Sequence, residues 1–145
     1  MDCKRVDIVV VKPMKILFVC HGNAFRSPLA EALLKKLRPD LEVDSAGLHV
    51  AIPVSGEVKA FLSKRNAVSY LKETSQSIDE KELRRYDLIV VMEQVQANAV
   101  LRACPECKTR IVAWNVEDPY FLARDDADNI FLQIENKVKE LAKSL

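Results

Sequence analysis

The chain has 145 residues, with 22 Lys plus Arg against 21 Asp plus Glu, a formal charge of +1. A near-zero balance excludes a nucleic-acid polycation or an acidic tail, since non-specific electrostatic binding needs a sizeable charge excess. With 49% apolar and 30% charged residues, the composition is that of one folded globular domain, and neither disorder nor a disulfide-stapled scaffold suits it.

The N-terminal run Val6–Val11 is too short for a signal h-region, carries Asp7, and is ended by Lys12-Pro13. No stretch approaches the ~20 apolar residues that span a bilayer. A reducing, cytoplasmic setting with no membrane partner is the expectation. Met14 reads as a second natural beginning, so residues 1–13 are an extension and 14–145 the domain; Val6–Val11 reads as either a dispensable segment or an extra edge strand limited by Pro13.

Past Met14, short β-branched runs at Ile16–Cys20, Leu41–Ser45, Leu88–Met92 and Arg110–Trp114 predict strands. Helical periodicity lies between and after them. One helix carries Leu29, Leu33, Leu34 and Leu37 and stops before Pro39; a weaker one carries Val58, Phe61 and Leu62. A short helix is predicted over Asp79–Arg85, because Ser77 and Glu80 form a capping-box pattern. Another runs from about Gln94 to Ala103. The last places Ile130, Phe131, Ile134, Val138 and Leu141 on one stripe, with Asp125, Asp126 and Asp128 at its entrance. Non-alternating strands interleaved with helices predict a single doubly wound α/β domain with a four-stranded parallel sheet in flavodoxin-like order.

Ligands in such sheets sit beyond the carboxyl ends of the strands. There the sequence reads Cys20-His21-Gly22-Asn23-Ala24-Phe25-Arg26-Ser27-Pro28. Five residues between Cys20 and Arg26 suffice to curl backbone N–H groups around one tetrahedral anion. Gly22 and Asn23 most readily supply the positive φ of such a curl. Ser27 is expected as N-cap with Pro28 at the first helical position, and the helix N-terminus then favours an oxyanion and a thiolate. Arg26 offers a planar donor fork for two phosphate oxygens, and the Ser27 hydroxyl lies within reach of the sulfur. The pattern is that of a covalent phosphoryl-transfer device, with His21, Gly22, Asn23, Ala24, Phe25, Arg26 and Ser27 as its phosphate loop. His21 is expected to point outward; a role as an imidazolium beside the thiolate is the other reading.

The run from Phe18 to Glu31 resembles the low-molecular-weight protein tyrosine phosphatases. The likeness continues through Val43-Asp44-Ser45-Ala46-Gly47, Tyr86-Asp87-Leu88-Ile89-Val90-Val91-Met92-Glu93 and Val116-Glu117-Asp118-Pro119-Tyr120. The resemblance implies a phosphomonoester hydrolase without a cofactor or metal, with Cys20 as nucleophile, Arg26 as phosphate ligand and Asp118 as general acid and base. It also implies that Ser45 supports Asn23. Tyr120 and Phe121 are expected to wall the site, although either ring has a place in a core as well. The partner is a phosphorylated protein or small phosphomonoester, taken by a monomer. Departures from the family are Phe25 where many relatives carry a second cysteine, Leu48–Pro53 without a large aromatic, and Glu73 near the place of a family histidine. Cys104-Pro105-Glu106-Cys107 is a possible redox pair. It keeps open thioredoxin-coupled arsenate reduction through Cys20, Cys104 and Cys107, beside a non-catalytic phosphate-binding module.

Overall fold

The computed structural model describes residues 12–145, so the expected edge strand at Val6–Val11 lies outside the described residues. The elements run β1 (Lys15–Cys20), α1 (Arg26–Leu37), β2 (Glu42–Gly47), α2 (Gly56–Ser63), β3 (Leu88–Val91), α3 (Gln94–Ala103), β4 (Ile111–Ala113) and α4 (Arg124–Ser144). All four strands are parallel, in the order β2-β1-β3-β4, so the doubly wound reading holds. Among the described residues no helix is long and apolar enough to cross a membrane.

Why the central strands β1 and β3 lack polar alternation is plain from the packing. Ile16, Phe18 and Cys20 face one apolar layer with Leu29, Leu33, Leu62, Phe131 and Ile134. Leu17 and Val19 face a second layer with Tyr86, Val100, Cys104 and Cys107. A strand covered on both sides can leave neither set of side chains polar. The α4 stripe buries Phe131, Ile134 and Val138, and Asp125 and Asp126 occupy its first turn, as expected from the helix dipole.

Two local expectations are corrected. The segment Asp79–Arg85 is not one helix but two single 3-10 turns, Ile78–Glu80 and Leu83–Arg85. Its capping box does form, with Ser77 N–H donating to Glu80 Oε2 at 2.8 Å and Asp79 N–H to Ser77 Oγ at 3.1 Å. Only Leu83 within these turns is buried, too little apolar surface to support a nucleated helix. In α1, helical geometry begins at Arg26 and Phe25 occupies the cap position without a side-chain cap. Pro28 is therefore the third helical residue, where its missing N–H is still one of the helix's unpaired donors. Ser27 does not cap the helix, which releases its hydroxyl for other work.

Candidate active site

The β1–α1 turn is shaped by what holds its carbonyls. His21 O accepts from the N–H groups of Leu48 (2.7 Å) and His49 (2.9 Å), Asn23 O from Ser75 Oγ (2.9 Å), and Ala24 O from Ser55 N–H (2.9 Å). A trans peptide points its N–H opposite to its C=O. Outward carbonyls at 21, 23 and 24 therefore turn the amides of Gly22, Ala24 and Phe25 to the concave side. Asn23 takes the left-handed conformation at φ 54, as the curl requires. Gly22 does not, since no glycine has positive φ; that expectation is corrected. The glycine the loop does need is Gly47, at the end of β2 opposite Cys20. A Cβ there would lie 2.7 Å from Asn23 N and from the Gly22 carbonyl carbon.

Cys20 ends β1 buried, and among the described residues it is the free cysteine. Its Sγ accepts from Asn23 N–H at 3.2 Å and lies 2.9 Å from Ser27 Oγ. Arg26 is buried, with Nη1 donating to Glu93 Oε1 (2.6 Å) and to the Val116 carbonyl (2.8 Å). Nη2 stands 3.3 Å from Asp118 Oδ2, and Nε is buried with no partner. One side of the guanidinium is thus anchored, while an unpaired buried donor is left on the Nε side. Such an orphan costs free energy unless a ligand accepts from it. Burial raises the Glu93 carboxyl, but the hydrogen bond and charge of Arg26 outweigh it, and the group lies below its usual range.

Asp118 enters on the β4–α4 connection, where Asp118 Oδ1 accepts from Tyr120 N–H at 3.0 Å. Cys20, Arg26, Glu93, Asp118, Tyr120 and Phe121 line a common cavity of about 520 Å³. Phe121 is 92% exposed and stands edge-on to Tyr120, centroids 4.6 Å apart, so neither ring serves the core. Phe25 meets Tyr120 edge-on at 6.1 Å. His21 is exposed on the rim beside His49, their centroids 5.3 Å apart.

Ser45 Oγ accepts from Asn23 Nδ2 at 2.9 Å, the supporting contact expected of it. Several further residues escaped sequence reasoning. Glu31 accepts from Ser45 Oγ, and Lys72 donates to Asn23 Oδ1. Glu93 follows β3 on the same carboxyl edge as Cys20, the signal that would have found it. For Lys72, which reaches the loop from the irregular chain between α2 and β3, the sequence carries no such signal. Cys104 and Cys107 are joined to each other in a disulfide, buried in the layer on the opposite face of the sheet from Cys20. Among the described residues neither sulfur of this pair meets Cys20, whose Sγ contacts Ser27 Oγ and Asn23 N–H, so the relay that arsenate reduction would need is not the arrangement described.

Comparison with known proteins agrees along nearly the whole chain. The model of the family described as low molecular weight phosphotyrosine protein phosphatase matches residues 15–145. The low molecular weight protein-tyrosine-phosphatase Wzb of Salmonella typhi is 32% identical over 139 residues, covering 90% of this chain and 93% of its own. Ptp of Acinetobacter johnsonii, of the same description, is 34% identical over 137 residues, covering 90% and 96%. Among solved structures, Vibrio vulnificus Wzb in complex with benzylphosphonate matches with a TM-score of 0.81 at 28% identity, over 92% of this chain and 100% of that one. With the parallel sheet, the anion-shaped turn and these likenesses together, the chain belongs to the low molecular weight protein-tyrosine-phosphatase family.

Proposed function

We propose that the protein hydrolyses aryl phosphate monoesters, phosphotyrosine in a protein chain being the substrate type, through a phosphocysteine on Cys20. The observation that carries this reading is the convergence of three residues on one cavity: Cys20, Arg26, whose buried Nε has no partner, and Asp118. Phosphate alone would need only the loop amides and Arg26; an acid beside them is required for bond breaking.

In the first step the Cys20 thiolate attacks phosphorus while Asp118 gives its proton to the departing ester oxygen. Arg26 and the amides of residues 22, 24 and 25 hold the phosphoryl oxygens as charge develops. In the second step the Asp118 carboxylate takes a proton from water, whose oxygen attacks phosphorus. Phosphate is released and Cys20 leaves as thiolate, stabilised by the Ser27 hydroxyl and Asn23 N–H. Tyr120, Phe121 and Phe25 offer aromatic faces to an aromatic leaving group. A relative whose structure is in complex with benzylphosphonate, an aryl-bearing anion, supports that preference. We further assign the catalytic domain to residues 14–145 and the enzyme to the cytoplasm, as a monomer. Cys20 works only as a reduced thiol, which suits the cytoplasm.

Cys20→Ser should abolish hydrolysis of p-nitrophenyl phosphate. Asp118→Ala should slow phenyl phosphate by about 10²–10⁴-fold and p-nitrophenyl phosphate less, because the better leaving group needs less protonation. Wild-type turnover by Cys20→Ser refutes the phosphocysteine.

A further inference from the structure

Both histidines of the chain, His21 and His49, line the mouth of the cavity, and the two-step hydrolysis uses neither. The backbone brings them together, because His21 O accepts from the N–H groups of Leu48 at 2.7 Å and His49 at 2.9 Å. That pairing ties the turn after β1 to the segment after β2, so the two side chains leave neighbouring points of one frame. Their ring centres lie 5.3 Å apart, with the planes tilted by 51°. Both rings are exposed, so rotation about their side-chain bonds can aim a nitrogen of each into the space between them. Zinc takes imidazole nitrogen at about 2.0–2.1 Å in a tetrahedral site, which sets two rings sharing one ion about 5.2 Å apart, centre to centre. The frame already holds that separation. Charge favours a cation as well, since the charged side chains lining the cavity are two carboxylates, Glu93 and Asp118, against the one guanidinium of Arg26.

We propose that His21 and His49 form an inhibitory site for a divalent transition-metal ion, zinc by its preference for imidazole, seated across the cavity mouth. Among the described residues no three His, Cys, Asp or Glu side chains are grouped to hold an ion. The site is therefore a two-imidazole clamp with water on its remaining positions, and its ion exchanges with the medium. The ion stands over the route to Cys20 and excludes the phosphate ester by filling its entrance; no bond to the sulfur is needed. Binding rests on the histidines alone, whereas inhibition rests also on the reading of Cys20 as the nucleophile.

Two competing accounts make different predictions. Ring-to-ring contact alone also suits the spacing, because aromatic pairs lie about 4.5–7 Å apart, and it leaves the pair indifferent to zinc. Coordination by the Cys20 thiolate would inhibit the enzyme as well, and it would need neither histidine.

The test titrates zinc chloride into wild type, His49→Ala, His49→Gln, His21→Ala and Cys20→Ser, free of chelators and of thiol reductant. Readouts are stoichiometry and dissociation constant by calorimetry, and inhibition of p-nitrophenyl phosphate hydrolysis. One ion should bind wild type and Cys20→Ser with affinities within about threefold of each other, and each histidine variant at least about tenfold more weakly. Zinc should raise the wild-type KM and leave kcat unchanged. Without zinc, His49→Ala and His49→Gln should turn over within about threefold of wild type, and half-inhibition should then take at least about tenfold more zinc. Both keep the backbone N–H that meets His21 O. Magnesium chloride, whose ion prefers oxygen ligands, should neither bind nor inhibit. Equal zinc affinity in wild type and the His49 variants would overturn the proposal. Loss of zinc binding in Cys20→Ser would do the same, because the thiolate would then be the ligand. If zinc binds through the histidines but wild type does not turn over, the phosphocysteine reading fails and the inhibitory role falls with it.

Discussion

Gly47→Ala isolates the geometry of the phosphate loop from its chemistry. Gly47 has no positive φ, so alanine imposes no backbone strain of its own. Its methyl would meet Asn23 N and Gly22 C at 2.7 Å and His21 O at 2.9 Å, all backbone atoms of the loop. None can rotate aside as a side-chain tip would. Reaching an ordinary contact of 3.4 Å from 2.7 Å moves the loop by about 0.7 Å. A displacement near 1 Å in a catalytic constellation costs about 10²-fold. We therefore expect kcat/KM for p-nitrophenyl phosphate to fall about 30- to 100-fold, with inhibition by vanadate weakened in parallel. Overpacking of this kind should also cost about 1–3 kcal/mol of stability, read as a lower melting temperature with the far-UV spectrum retained. A variant with kcat/KM within threefold of wild type would show that β2 and the loop do not bear on each other as described.

Cys104→Ser/Cys107→Ser should leave phosphatase turnover within about twofold of wild type, because the pair lies across the sheet from Cys20. It should lower stability by up to about 2 kcal/mol, the chain-entropy value for so short a loop; lost turnover would contradict it. Phe25→Cys should make peroxide inactivation recoverable with thiol, whereas wild type, lacking a cysteine beside Cys20 in the loop, should recover poorly; equal recovery would refute this. The Glu93 carboxyl is held low in the folded state, so its contribution to stability is present above the ordinary carboxylate range near ~4.3 and drains as pH falls through the lower folded value. Glu93→Gln should flatten thermal stability against pH in that window, by less than about 1 kcal/mol because Glu93 is 40% exposed. An unchanged slope would place the acid sensitivity elsewhere.

What sequence could show, and what it could not, divides along the range of each interaction. Cys20, Arg26 and Ser27 belong to one turn between a strand and a helix, so spacing alone carries their relation. Asp118 is far along the chain, yet strand order places it on the same edge, and a parallel sheet makes that inference transferable. The choice between Gly22 and Asn23 as the left-handed residue was not legible, because it depends on which carbonyls Leu48, Ser55 and Ser75 capture from outside. Gly47 was missed for a related reason: its need comes from another segment's backbone, not from its own conformation. Lys72 is the extreme case. A lysine in an irregular connection reads as solvated surface, and only folding shows three acceptors waiting for its three hydrogens. A loop that must be curled, rigid and aimed at a sulfur is built from nearby residues in the chain and held by distant ones, which local sequence pattern cannot show.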